Sequence, residues 1–551
     1  MKIKRLIWRV VFIVLIACVA GILSVNYYAN WRLRHEIALL SSQKIKGLYS
    51  LHIGSTQLNI WSGTLKASDV VISTDIIAWA GIRQAWPDSF PPVVEMSVHA
   101  IDILHFSWAS YFSRRNIDFK ALIVDQPVLH LMLQGDTIQQ DSMVQRQFRA
   151  LKHLLFPMVK ALIINNFAIK NANITFNTLL KGDTLMRHCT GLNLSFKALN
   201  IDEQSTETTF CRDIALQAGH GEFHSHLGTH SLAFDHLKFS KAARIISLGQ
   251  CSVVPKQDEQ AFFSQLHFRK DYLSFACPEI TIKGFDLDKL LKNNYFYADS
   301  LLAKEATLAA TVNHFLPLPY RKILPHELVQ KITSLFNIGN IVFKDSEISL
   351  TTRLPGADYL LTFNHCYINA DNLSNDSTLM NSEHPLQIWA EAQFMNHAPL
   401  KIKLSLPLLS QSFNGDYTVS IQHLPMAAFN PIISHNNVSI KSGFLQMADI
   451  SATIQQGVSL GTIKMQYHNL DVQILHKGSG KPRIVMSELV DLFVKEDNIR
   501  DTDPSTPFII GKIYHIRNRQ EGFFMFLWRS LQSGMLPSIV PSHKKLKKVM
   551  Q

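Results

Sequence analysis

The residues most able to do chemistry lie in GHGEFHSHLGTH (219–230). On a strand, His220, Glu222, His224 and His226 would share one face, and imidazole and carboxylate groups on one face can hold a metal. Neighbours two apart on a pleated strand stand ~7 Å from one another, so a compact site would need a partner strand. The chain has 24 His, so a cluster of this size also arises as a wet sheet face. His220, His224 and His226 are therefore weak metal candidates, and no metal or cofactor is expected. Gly478-Ser479-Gly480-Lys481 has the end of a phosphate loop, but Leu475 and Pro482 stand where Gly and Ser/Thr are required. The triplets Gly135-Asp136-Thr137 and Gly182-Asp183-Thr184 read as turns. No nucleophile elbow, zincin motif or dinucleotide loop occurs. No catalytic residue is assigned, and an enzyme is not expected.

The six cysteines, Cys18, Cys189, Cys211, Cys251, Cys277 and Cys366, include no CxxC pair, so neither a redox motif nor a zinc knuckle is encoded. Buried free thiols are the simpler reading, with one or two disulfides left open.

The 551 residues carry 54 Lys+Arg against 43 Asp+Glu, and 47% are hydrophobic, which excludes a disordered chain. The net charge of +11 belongs to the ends: Lys2, Lys4, Arg5 and Arg9 at one, Lys544, Lys545, Lys547 and Lys548 at the other. Without these eight the balance is 46 to 43. A nucleic-acid binder would carry its charge as a folded basic face; none is visible, and no nucleic-acid partner is expected.

Behind the first basic group, Val10 to Val25 is free of charge, with Trp8 at one border and Tyr27 and Tyr28 at the other. As a helix, Trp8 to Tyr28 would span ~30 Å, one hydrocarbon thickness, with aromatic residues at both interfaces. Apolar residues continue to Val25 past Cys18-Val19-Ala20, which favours an uncleaved anchor over a signal peptide or lipoprotein box. The positive-inside rule then leaves residues 1–9 cytoplasmic and the bulk of the chain across the membrane, in a single-pass topology.

These features need few helices to position them. After a short helix over 31–46, alternation of period two dominates: Val94, Met96, Val98 and Ala100 against Glu95, Ser97 and His99; Tyr417, Val419 and Ile421 against Thr418, Ser420 and Gln422. Such alternation predicts strands with one apolar and one wet face, commonly antiparallel. Helices are expected near 108–115, 141–161, 286–293, 326–336 and 523–535. A repeat runs through the pattern. Residues 101–131 align without gaps on 280–310, at an offset of 179, and 162–176 on 336–350, at 174. Each copy reads as strand, short helix, strand pair, helix, then a hairpin turning at Lys170-Asn171 or Lys344-Asp345. The expected fold is mainly β: a transmembrane helix, then an elongated, twisted antiparallel sheet with an internal duplication and a few short helices. The divisions are 1–30 (anchor), 31–92 (opening helix and strands), 93–275 and 276–480 (the two β units) and 481–551 (closing strand, amphipathic helix and basic tail).

An apolar sheet face must be covered. A second sheet would make sandwiches; a curled sheet would make a trough whose lining meets something other than protein. The positions concerned are Val94, Met96, Val98, Ile169, Ile174, Phe176, Ile341, Phe343, Ile348 and Leu350, and alternation does not separate the two outcomes. Near the end, Phe523, Phe524, Leu527, Trp528, Leu531 and Met535 form a helical stripe that could close the sheet or rest on a membrane. Trp8, Tyr27, Tyr28, Phe523, Phe524, Leu527 and Trp528 are the candidate membrane contacts.

The order of these parts resembles the AsmA-like proteins of bacterial envelopes, in the branch found in Bacteroidota-type bacteria. The likeness is carried by SLHIGSTQLNIWSGTLKASDVVIS (50–73), VHAIDILHFSWASYFSRRNIDFKALIVDQPVLHL (98–131), GTIKMQYHNLDVQIL (461–475) and GKIYHIRNRQEGFFMFLWRSLQSGM (511–535). Asn469 stands where the family more often has Asp. The resemblance implies an inner-membrane anchor, a periplasmic β-groove related to repeating lipid-transfer grooves, phospholipid as ligand, and a role in outer-membrane biogenesis. A non-enzymatic scaffold with an envelope-protein partner is the alternative, and an enzyme or metal protein with an unrecognised site is the second.

Overall fold

The computed structural model describes residues 24–31, 48–85, 92–134, 152, 159–180, 183–225, 228–354, 357–430, 438–474, 497 and 509–539. Trp8, His226, the 478–481 loop, the basic tail and nearly all of the helix expected over 141–161 lie outside them. Among the described residues no helix is long and apolar enough to cross a membrane.

The protein is mainly β and divides into two compact units. The first holds residues up to Leu248 together with Leu287–Asn294; the second holds the remainder. In the first unit β1 (Tyr49–Asn59), β2 (Thr64–Thr74) and β3 (Val93–Phe106) form an antiparallel meander. β3 then pairs antiparallel with both β4 (Asn116–Asp125) and β5 (Val128–Gln134), and both run parallel to β6 (Ala161–Leu180). β4 and β5 are thus two halves of one line, broken at Gln126, whose φ is 49°. β7 (Asp183–Asp202), β8 (Asp213–Ser225) and β9 (His230–Ser240) continue antiparallel from β6. β10 (Ile245–Pro255) straddles the division.

The sheets are therefore mixed, not antiparallel as expected. Alternation reports which face a residue takes, not which way its strand runs. Direction follows from the connections, and 135–160 and 314–335 are each long enough for the crossover that a parallel pair requires.

The second unit repeats this plan. β11 (Tyr272–Lys283) pairs antiparallel with β12 (Phe296–Lys304) and β13 (Thr307–Asn313), and both run parallel to β14 (Phe336–Leu354). The registers correspond residue by residue. Ile103↔Leu122 and Ile282↔Leu301 differ by 179 on both sides; Ile164↔Leu199 and Ile338↔Leu373 differ by 174 on both sides. Left-handed residues fall at matching places: Gln126 and Glu305, Asn171 and Asp345, Gly191 and His365. From β14 an antiparallel meander continues through β15 (Ala357–Ser374), β16 (Leu386–Phe394), β17 (Ala398–Leu406), β18 (Gly415–Pro425), β19 (Val438–Gln455), β20 (Val458–Ile474) and β21 (Ile509–Ile516).

No hairpin turns at Lys170-Asn171 or Lys344-Asp345. β6 and β14 run straight through both pairs as bulges. A turn and a bulge ask the same of the backbone, a residue that tolerates positive φ, and Asn and Asp supply it in either setting. In the first unit these residues line up across the sheet as a crease: Asp69 (φ 55°) in β2, then, beyond β3, Gln126, Asn171 and Gly191 (φ 63°). Alternation changes phase at the crease. The inward residues of β1 pass from Tyr49, Leu51 and Ile53 to Thr56 and Leu58, and β2 shifts from Leu65 and Ala67 to Val70 and Ile72. Apolar side chains thereby stay on one face along both halves of the strand.

The helices are few. α1 spans 24–31. α2 (Ile76–Ala85), not anticipated, begins where the Asp75 carboxylate accepts from the amides of Ile77 and Ala78, at 3.0 Å each, and buries Trp79. α3 (Trp108–Arg114) joins β3 to β4, and α4 (Glu259–Ser264) follows β10. α5 (Leu287–Asn293) and α6 (Pro325–Gln330) lie near expected helices. The largest core, in the second unit, joins the inner residues of β16–β21 to α7 (Phe523–Ile539). Phe526 and Ser530 are fully buried there, and the Ser530 hydroxyl stands 2.6 Å from both Tyr417 Oη and Ser459 Oγ.

Candidate functional site

The ten apolar positions singled out in the sequence fall on rows of directly paired residues. In the first unit one row runs Leu51, Ile72, Met96, Leu129, Ile174, Cys189, Gly221 and Phe234, one residue from each of eight strands. The next runs Val94, Leu131, Phe176, Arg187, Phe223 and Leu232. Beyond the crease Ile101, Val124, Ile169, Leu194, Leu216 and Phe239 form another. The pleat puts paired residues on the same side, so each row is a strip of apolar surface. Gly221 leaves room for Phe234, because a Cβ there would stand 2.2 Å from the ring.

Exposure separates this face from a closed core. Val98 is 2% exposed, whereas the other nine positions remain partly open. Phe223 and Leu232, at the rim, are each 36% exposed. In the second unit the corresponding row is Phe275, Leu308, Ile348, Phe363, Phe394 and Ala398. It grades from Leu308, 37% exposed, to Ala398, fully buried. Leu350 lies one row over, between Ala310 and Leu361. Ile341 packs on the main core, and Phe343 sits between Ala303 and Ile368.

The reverse face of the first unit is polar. Glu95, His130, Thr175, His188 and Glu222 pair in sequence across five strands, and Thr175 Oγ1 and His188 Nδ1 stand 3.0 Å apart. His220 is on this face, 2.7 Å from Asp235, and His224 lies 3.8 Å from Glu222. Among the described residues no three His, Cys, Asp or Glu side chains are placed to share a metal. Burial pushes the Cys189, Cys251, Cys277 and Cys366 thiols up and Cys211 to about 11, so these groups are protonated at neutral pH and poor nucleophiles. The five are free thiols.

Arg187 has no counterpart in the sequence-based reading. It interrupts the apolar row between Phe176 and Phe223 and donates to Thr178 Oγ1 at 3.1 Å. A cation in an otherwise apolar strip is its signature. The terminal helix divides its apolar residues: Phe523 and Leu527 pack on the core, Phe524 is 82% exposed, and Trp528 is half-buried. Tyr27 and Tyr28 on α1 are 77% and 57% exposed.

No family model matches the chain, and no curated protein matches it.

Proposed function

We propose that the protein is a non-enzymatic, AsmA-like envelope protein. In this reading residues 8–28 anchor it in the inner membrane, the remainder is periplasmic, and the half-open apolar rows carry phospholipid acyl chains toward the outer membrane. The observation that carries the reading is the incomplete burial of eight of the ten positions, which lie on rows of paired residues in both units; Val98 is buried and Ile341 packs on the main core. Leaving an acyl chain in water costs ~0.8 kcal/mol per CH₂, and a strip of partly open side chains removes that cost without a shaped pocket. Arg187 suits the phosphate at the rim of such a strip. The matched registers support an internal duplication, which supplies an apolar strip in each unit without new folding information.

The test is mass spectrometry of lipid extracted from fragment 31–551 purified free of detergent. The expected result is stoichiometric phospholipid, lost when Ile174→Asp and Ile348→Asp are combined in a protein with unchanged circular dichroism. Lipid no higher than in an unrelated control protein would sink the groove and favour a scaffold.

A further inference from the structure

A surface outside the apolar rows gathers aromatic side chains next to α1. Trp61, in the β1–β2 turn, is 60% exposed; on α3, Trp108, Tyr111 and Phe112 are 37%, 40% and 76% exposed. α3 carries no acid in its first turn and ends at Arg114, with Arg115 following, both exposed. Trp108 and Phe112 stack at 6.3 Å, and the Trp108 indole donates to the Ile60 carbonyl at 2.9 Å. That short stretch also holds α1. Asn30 Oδ1 accepts from the Leu58 amide at 2.6 Å, and Asn26 Oδ1 accepts from the Ile60 amide at 3.2 Å. The aromatic group and the end of the apolar segment Val10–Val25 are thus tied to the same three residues, Leu58 to Ile60.

The second copy supplies a contrast. At the 179-residue offset Trp108, Tyr111 and Phe112 become Leu287, Leu290 and Leu291, and the two arginines become Asn293 and Asn294. α5 is committed to protein: Leu287 packs on the Ile164–Ile214 core, and Asp288 pairs with Lys241 at 2.8 Å. α5 itself carries no aromatic ring and no arginine, whereas α3 carries three rings and ends at Arg114. Tryptophan, tyrosine and arginine are the side chains that settle at headgroup level, and cations favour anionic leaflets.

We propose that Trp61 and α3 form a bilayer-resting foot, with Trp61, Trp108, Tyr111 and Phe112 at the interface and Arg114 and Arg115 on anionic headgroups. The inference rests on the anchor reading of residues 8–28. The foot fixes how the first sheet meets the membrane, so that a lipid leaving the leaflet meets the sheet at a set place.

The full chain is reconstituted in phosphatidylethanolamine/phosphatidylglycerol vesicles, with p-benzoylphenylalanine placed singly at Phe112, Trp61, Tyr28 or Phe268, the last 57% exposed in the second unit. After illumination, lipid adducts are expected at Phe112, Trp61 and Tyr28 and not at Phe268. Replacing Arg114→Glu and Arg115→Glu should lower the phosphatidylglycerol share of the Phe112 adducts. Adducts at Tyr28 with none at Phe112 and Trp61 would overturn the foot while leaving the anchor intact. None at any of the three would remove the anchor reading and the foot with it. Phe112 adducts that persist in detergent with one equivalent of phospholipid would assign this surface to a carried lipid, and that too would overturn the foot.

Discussion

Phe526→Ala tests whether α7 is an integral part of the second unit or a detachable strap. The ring is fully buried and meets Phe413 edge-on at 5.3 Å and His515 at 5.4 Å. Phe413 in turn stacks on His326 and meets Phe523, so deletion opens a void in the middle of an aromatic group. Truncating a buried Phe costs about 3–5 kcal/mol, and a lost edge-to-face pair adds to the upper half of that range. About 4 kcal/mol is expected, or about three decades in an opening equilibrium. Hydrogen exchange of the full chain in micelles is the assay, read where opening is in rapid equilibrium. Amides of β20 and β21, against which α7 lies, should exchange about 1,000-fold faster. Amides of β6 and β7 should not change. If α7 amides accelerate while β20 stays protected within about tenfold, the helix is only loosely applied and the packing argument is wrong.

Other consequences are as specific. Tyr417→Phe leaves the Ser530 and Ser459 hydroxyls short of a partner and should lower the second unit's stability by about 1–3 kcal/mol; thermal unfolding measures it, and no change would refute the network. Gly534→Ala, a gain by helix propensity, should destabilise by about 1–3 kcal/mol, because its Cβ would stand 2.7 Å from Ile513 and 2.9 Å from Ile463; a stabilised variant would show that α7 stands farther off. Burial holds the His326 imidazole below its ordinary 6.5. As pH falls through that value the unfolded chain gains a proton the folded chain does not, so stability should fall until the lowered folded value is passed. His326→Phe keeps the stack on Phe413 and should flatten that acid slope in denaturant midpoints; an unaltered slope would assign it elsewhere.

Strand identity was legible because each strand keeps one apolar face, and the repeated strand plan because equal spacing survives in both units. Strand direction was not, since side-chain alternation is the same in parallel and antiparallel pairs. Lys170-Asn171 was read as a turn because a bulge and a turn recruit the same residue types. α2 was missed although Asp75 and the apolar run behind it are a legible start signal. On α7 four residues of the expected apolar stripe, Phe523, Leu527, Leu531 and Met535, pack on the core, but Phe524 is exposed and the fully buried line runs through Phe526, Ser530 and Gly534. The opening FFMFLW is apolar all round, so spacing fixes no face, and a buried Ser and Gly look like surface until their partners are known. The cross-strand rows, with Arg187 among them, depend on register, which no single strand encodes.

The crease resembles a reading-frame shift repeated along the sheet. Ordinarily a single inserted or deleted residue turns the rest of a strand inside out. Here Asp69, Gln126, Asn171 and Gly191 supply that odd step at four places along it, and the halves on either side remain in frame. Ile169↔Leu194 and Ile174↔Cys189 leave four residues in each strand between the paired halves, so the two strands pass the crease in step. Deleting Asn171 alone would put Ile174 and Phe176 on the histidine face, whereas the same deletion paired with loss of Gly191 leaves the two strands in mutual register. Length changes at the crease are therefore permitted by the row rather than by the strand, and the apolar face is inherited as a whole.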